Sequence, residues 1–64
     1  MLINSRDIKR RLEREGWILV RVTGSHHVFQ NPKTGTHITL PHPKKDLGRG
    51  LVGKIYKDAG WTKD

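Results

Sequence analysis

Two apolar runs joined by one very short turn constrain this chain more than any other feature of its sequence. Residues 17–23 and residues 25–30 are rich in β-branched and aromatic side chains, and only Gly24 and its neighbours separate them. So short a connection allows antiparallel pairing alone, because parallel strands need a long crossover. The first run predicts two faces. Ile18, Val20 and Val22 form one, and Trp17, Leu19, Arg21 and Thr23 form the other.

Two helices and a third strand complete the predicted elements. Residues 5–15 read as a basic amphipathic helix that begins at Asn4-Ser5, a plausible N-cap, and ends before Gly16 in a left-handed conformation. Turn residues at 31–35 precede a strand over 36–40, in which Ile38 and Leu40 share a face. Two prolines then predict a stiff connector over 41–46 that cannot continue the strand. The final helix is expected over 47–59, with Gly60 closing it and Trp61 packing beyond.

The order helix, three strands, helix predicts an α+β fold. Both helices are expected on one face of a three-stranded antiparallel sheet, with the other face open. The 64 residues form one domain, 1–64, with a small core. The predicted core residues are Ile8, Leu12, Val20, Leu51 and Ile55. Glycines within the last helix either weaken it or allow another backbone to approach closely.

The charge balance indicates a polyanionic partner. Thirteen Lys and Arg residues against six Asp and Glu give a net charge of +7, distributed along the chain. Such a surface attracts nucleic acid through counterion release, and an acidic protein is the second kind of partner it suits. The absence of cysteine excludes a disulfide framework and fits a reducing cytoplasm. No apolar run approaches membrane-spanning length and no export signal is apparent, so we expect a cytoplasmic protein without a membrane partner.

His26 and His27 are the residues that suggest a catalytic function. Adjacent positions on an extended chain point to opposite faces, so at most one of the two is expected inside the fold. If Phe29 is core, His27 faces the helices as a half-buried structural histidine, and His26 is in the open. Val28 competes with Phe29 for the core, and a shift of one residue in the strand would exchange the two histidines. An exposed imidazole on a rigid strand of a basic protein suggests proton transfer at a phosphodiester. The alternative is that His26 only caps the turn.

Several short motifs in combination resemble the HicA toxin family of bacterial toxin–antitoxin systems. They are Gly16-Trp17, Arg21, Gly24-Ser25-His26, the segment Pro41-His42-Pro43-Lys44-Lys45-Asp46-Leu47, and Ala59-Gly60. The resemblance implies a fold like that of double-stranded-RNA-binding domains, ribonuclease activity on mRNA, and neutralisation by a HicB antitoxin. In that family the catalytic histidine follows Gly-Ser, which here is His26. The chain departs from the family at Gly50-Leu51-Val52, where Gly-Thr-Leu is more usual, and at Gly53 inside a helix.

These observations predict a metal-independent endoribonuclease with His26 as general acid and base and with no cofactor. Arg21 and Ser25 are expected to contact phosphate, although a solvated arginine and ordinary turn chemistry are the respective alternatives. Lys44 and Lys45, in the loop before the second helix, are expected to form a phosphate site near the N-terminus of that helix, and a solvated loop is the alternative. His37 shows no sign of a partner and is expected to be exposed, and no histidine spacing typical of a metal site is present.

Two other functions fit the same residues. A non-catalytic RNA-binding module would use the same fold and charges to bind duplex RNA without cutting it. A purely structural partner of an acidic protein would need only the basic surface. The histidine pair favours the ribonuclease, because binding phosphate does not require it. The oligomeric state, the cleavage preference and the second proton-transfer group stay open, and His42 is one candidate for that group.

Overall fold

The computed structural model describes residues 1–62, so the last two residues of the predicted domain lie outside it. The element order is α-β-β-β-α, as predicted. The helices are α1 (Ser5–Arg14) and α2 (Arg49–Ala59), and the strands are β1 (Ile18–Thr23), β2 (His26–Gln30) and β3 (His37–Pro41). The three strands form one antiparallel sheet in the order β1-β2-β3. The first strand and the last therefore lie at its edges.

Helix α1 begins and ends as its sequence predicts. The side chain of Asn4 accepts a hydrogen bond from the backbone N–H of Arg6 at 2.9 Å, which is the N-cap arrangement. At the other end Gly16 has a φ of 91°, and Trp17 N–H donates to Leu12 O at 2.9 Å. This return bond places the indole of Trp17 in the core before β1 begins.

A β-bulge in β1 overturns the predicted alternation of that strand. Leu19 pairs with Phe29 and Arg21 pairs with Val28, so Val20 is an extra residue without a directly opposite partner. Because directly paired residues share a face, Leu19 and Val22 lie on the side of Phe29 and His27, while Ile18, Arg21 and Thr23 lie on the other. The grouping of Ile18, Val20 and Val22 on one face was wrong.

Strand β1 is exposed along its whole length, which also corrects the predicted core. Val20 is 47% exposed and Val22 is 51% exposed, because the strand lies at an edge that the helices do not cover. The prediction that Val20 is a core residue was therefore wrong. By contrast, Ile8, Leu12 and Ile55 are buried, and Leu51 is half-buried against the same cluster.

The core lies between the sheet and the two helices. Phe29 of β2 and Ile38 of β3 pair directly, and Leu40 pairs with His27, so these side chains point to the helices. The full core cluster is Ile8, Leu12, Trp17, Phe29, Ile38, Leu40, Leu47, Val52, Ile55, Tyr56 and Trp61. Val28, which faces the other way, is buried but lies outside this cluster. The prediction that both helices cover one face is confirmed.

Helix α2 is shorter than predicted and Pro41 belongs to a strand. The helix starts at Arg49 with Gly48 as an N-cap that offers no side-chain hydrogen bond, whereas residue 47 was the expected start. Leu47 is instead a buried connector residue whose N–H donates to Ile3 O at 2.8 Å. Pro41 ends β3, contrary to prediction, because an edge strand tolerates a residue that lacks a backbone donor.

The end of α2 is fixed by a left-handed glycine and an aromatic cluster, as predicted. Gly60 has a φ of 76°, and Trp61 N–H donates to Tyr56 O at 2.8 Å. The Trp61 ring meets the Tyr56 ring edge to face at 5.1 Å, and the Arg11 guanidinium lies 4.1 Å from the indole centroid. Trp61 Nε1 also donates to Glu15 Oε1 at 2.7 Å. These contacts hold α2 against α1.

Candidate functional site

His26 stands exposed on the most firmly held strand of the sheet. It begins β2 directly after Gly24, whose φ of 58° allows the hairpin to reverse within very few residues. β2 is the central strand, and His26 pairs with Thr23 on one side and with Pro41 on the other. The backbone beneath the imidazole is therefore fixed by neighbours on both sides while the ring faces solvent.

Arg21 lies close enough to His26 for both side chains to contact one ligand. Arg21 pairs with Val28 and Thr23 pairs with His26, so Arg21 is the diagonal neighbour of His26 on the open face. Diagonal positions are roughly 7–8 Å apart, a distance that a long side chain can bridge. The arrangement can present a guanidinium and an imidazole to one phosphate group.

The backbone of Ser25 ties this turn to the connector after β3. Its carbonyl oxygen accepts the backbone N–H of His42 at 2.7 Å and lies 3.3 Å from Nδ1 of His27. Its side chain is exposed beside His26. Ser25 therefore fixes the position of the turn, and its hydroxyl stays open to solvent.

His27 faces the helices, opposite to His26. It is half-buried and pairs with Leu40, as expected for a residue on the side of Phe29. Its ring meets the ring of His42 edge to face, with centroids 5.0 Å apart and planes at 89°. The prediction that His27 is half-buried and faces the helices is confirmed.

His42 joins the connector to the start of α1. Its Nδ1 is hydrogen-bonded to Ser5 Oγ at 2.7 Å, and the same oxygen accepts the backbone N–H of Lys44 at 2.8 Å. Ser5 N–H donates in return to Lys44 O at 2.9 Å. Ser5 is the one polar residue buried among residues 1–62, and all these bonds converge on it.

The environment of His42 favours its neutral form. Burial lowers the pKa of the His42 imidazole below 6.5, and the neighbouring His27 and Lys9 lower it further, while Glu13 opposes the change. A neutral ring leaves Nδ1 able to accept the hydroxyl proton of Ser5. The hydrogen bonds to Ser5 and Ser25 hold His42 in a fixed position in the connector.

Lys44 and Lys45 lie at the N-terminus of α1, not of α2. The Ser5–Lys44 hydrogen bonds bring the connector to the first turn of α1, whereas α2 starts only at Arg49. The prediction that these lysines lie beside the second helix was therefore wrong, because the hydrogen bonds between Lys44 and Ser5 form only in the folded chain and cannot be predicted from local sequence. Both lysines line a shallow cleft of about 240 Å³ together with Asn4, Ser5, Arg6, His42 and Pro43. A helix N-terminus and three cations at this cleft suit an anion.

A second and larger cleft connects His26 with residues that the sequence did not single out. It has a volume of about 340 Å³ and runs along the outer edge of β3, beside α2. Its lining residues are His26, His37, Ile38, Thr39, Pro41, Leu51, Lys54, Ile55 and Asp58. His37 is exposed, as expected, yet it shares this cleft with His26. The alternation of β3 places His37 on the same face as Pro41, and the cleft forms where α2 lies beside the outer edge of this strand.

Comparison with known protein families identifies the family of this chain. The chain matches the family described as "HicA toxin of bacterial toxin-antitoxin" over residues 5–61 of its 64 residues. The chain belongs to the HicA toxin family. Among curated proteins, the comparison finds none that matches it.

Family membership makes this chain the toxin of a toxin–antitoxin system and implies a cognate antitoxin. The match includes His26, the connector with its lysines, and both helices. Within residues 1–62 of this HicA chain, no group of three or more His, Asp or Glu residues is arranged to hold a metal ion. Neither helix in the described part of the chain is long and apolar enough to cross a membrane.

Proposed function

We propose that this HicA-family toxin is a metal-independent endoribonuclease that binds and cleaves mRNA in the cytoplasm. His26 is the general acid and base, Arg21 binds the scissile phosphate, and Lys44 and Lys45 hold the RNA at a second anionic position. A HicB-like antitoxin neutralises the toxin. The observation that carries this proposal is the exposed His26 on a rigid central strand, with Arg21 as its diagonal neighbour.

The reaction needs proton transfer at two oxygen atoms of the RNA. The base accepts the proton of the 2′-hydroxyl, the 2′-oxygen attacks phosphorus, and the bond from phosphorus to the 5′-oxygen breaks. The departing 5′-oxygen takes a proton from an acid. The products are a 2′,3′-cyclic phosphate and a 5′-hydroxyl. Histidine suits both transfers because its ordinary pKa lies close to neutral pH.

Cations beside the imidazole supply the remaining stabilisation. The negative charge on the phosphate oxygens increases during the attack, and a guanidinium can donate two parallel hydrogen bonds to them. Arg21 has the position for this role, and the exposure of β1 leaves its side chain accessible. Ser25, beside His26 at the turn, can add a hydroxyl hydrogen bond to the same phosphate.

The lysine cleft supports binding of a longer RNA. Lys44 and Lys45 lie at the start of α1 with Arg6, in a cleft separate from the one that His26 lines. Their charges therefore act on a phosphate other than the scissile one. The two basic positions together suit an extended strand of RNA, and the net charge of +7 suits an acidic antitoxin that covers them.

Growth arrest on induced expression tests this proposal. Wild type is compared with His26→Ala and with Lys33→Ala, a control that removes an exposed charge in the turn after β2. We expect wild type and Lys33→Ala to arrest growth with loss of total mRNA. We expect His26→Ala to do neither, provided that circular dichroism shows it folded.

Two outcomes would contradict the proposal. Equal toxicity of folded His26→Ala would remove His26 from the chemistry. A harmless wild type that binds duplex RNA and leaves single strands intact would instead support the non-catalytic RNA-binding module.

A further inference from the structure

The cleft between β3 and α2 extends well beyond the scissile phosphate that His26 would contact. His26 pairs with Pro41, and His37 lies four residues away along β3. At about 3.3 Å per residue this separates the two positions by roughly 13 Å. The two imidazoles therefore stand at opposite ends of the cleft, with Thr39 midway between them.

The walls of the cleft combine apolar surface with a few polar groups. Pro41, Leu51 and Ile55 supply apolar surface on its two sides. Thr39 is exposed and offers a hydroxyl that can donate and accept. Small-molecule sites in proteins show this composition, with mostly apolar walls and a small number of placed polar groups.

An ion pair on α2 adds a donor and an acceptor side by side. Lys54 Nζ lies 2.7 Å from Asp58 Oδ2, and the Asp58 side chain is only 27% exposed. Both residues line the cleft together with Thr39. A nucleobase presents the complementary features, because its faces are apolar and its edge carries donors and acceptors.

We propose that this cleft holds the nucleobase next to the scissile phosphate of single-stranded RNA and thereby sets the preferred cleavage site. The inference rests on the proposed ribonuclease function. Thr39 and the Lys54–Asp58 pair contact the edge of the base, and His37 closes the far end of the cleft with an aromatic ring. The bases of a single strand can be turned outward into such a cleft, whereas those of a duplex are stacked and paired.

Binding of short uncleavable RNAs tests this subsite separately from catalysis. Four single-stranded RNAs have the same sequence except for one base. The nucleotide before this base has a 2′-deoxy sugar, which removes the attacking hydroxyl and makes the linkage uncleavable. We compare wild type, Thr39→Val, Lys54→Met and the control Lys57→Met, an exposed α2 lysine outside the cleft. The Kd for each RNA is measured by fluorescence anisotropy, and cleavage of the matching all-ribose RNAs is measured in parallel.

We expect wild type and Lys57→Met to prefer the same base, and Thr39→Val and Lys54→Met to lose three- to tenfold of that preference, as for about one hydrogen bond. Equal affinity of wild type for all four RNAs would overturn the subsite. So would a preference that survives unchanged in both cleft variants. If preference depends on the cleft but no all-ribose RNA is cut, the cleft binds a base, whereas the ribonuclease proposal and the role of the cleft in choosing a cleavage site both fail.

Discussion

At the scale of single residues, the two adjacent histidines have different environments and different roles. His26 points to solvent from the centre of the sheet, and His27 packs against His42 on the helix side. The sequence predicted this division, because alternation along a strand follows from its geometry. It could not predict that His42 is held by Ser5, since those residues lie 37 positions apart and meet only in the fold.

The lowered pKa of His42 makes stability depend on pH. Burial and the neighbouring His27 and Lys9 lower the pKa of the folded ring, whereas the unfolded ring titrates at its ordinary value of 6.5. Its contribution to the free energy of unfolding is therefore fully present above pH 6.5 and is lost as the pH falls below that value. We expect wild type to lose more stability than His42→Asn between about pH 7.5 and pH 5.5 in urea unfolding.

His37→Asn is the matched control for this experiment, because His37 is exposed and lies away from the Ser5 network. It should follow the wild-type pH dependence. Identical pH dependence of wild type and His42→Asn would show that His42 does not contribute.

At the scale of elements, the local sequence predicted the C-terminal ends of both helices, where a glycine follows the last turn. The bulge in β1 and the end of β3 depend instead on how the strands pair. Gly16 and Gly60 occupy the left-handed positions that their sequence context predicts. The bulge at Val20 depends on the register between β1 and β2, which the alternation of β1 alone cannot reveal. Pro41 could end a strand only because β3 lies at the sheet edge, a fact of topology and not of local sequence.

Gly53 offers a direct test of what the glycines do in α2. Apart from the two chain neighbours and the backbone of α2 itself, a Cβ at this position would meet no atom within 4 Å, so the alternative of a close approach by another backbone was wrong. We expect Gly53→Ala to raise the free energy of unfolding by up to about 1 kcal/mol through helix propensity.

Gly60→Ala, at the C-cap of the same helix, should change the free energy of unfolding in the opposite direction. Its φ of 76° lies in the left-handed region, so alanine there should lower the free energy of unfolding by about 1–2 kcal/mol. Urea unfolding measures both variants. A lower free energy of unfolding for Gly53→Ala would contradict the open space that the structure shows around this position.

At the scale of the whole molecule, the helices cover one face of the sheet and leave the catalytic candidates on the other. The sequence predicted this layering and the exposure of His26. It did not predict the cleft with His37, because the position of α2 against the edge of β3 results from packing of the whole core. The same limit explains why Lys44 and Lys45 were assigned to the wrong helix.

The basic surface predicts a binding affinity that falls steeply with salt. Loss of one phosphate contact should reduce the slope of log K against log salt concentration by about 0.7 for a single strand. We expect this reduction for Arg21→Ala on an uncleavable RNA, and no change for Lys33→Ala. Equal slopes for Arg21→Ala and wild type would remove Arg21 from the phosphate site.

The most direct test of the central claim is the chemistry of the RNA ends that the purified toxin produces. A single-stranded RNA is incubated with wild type and with folded His26→Ala in the presence of EDTA, and the product ends are identified by mass spectrometry. We predict a 2′,3′-cyclic phosphate and a 5′-hydroxyl from wild type, and no products from His26→Ala. A 5′-phosphate with a plain 3′-hydroxyl, or undiminished cleavage by His26→Ala, would contradict the account.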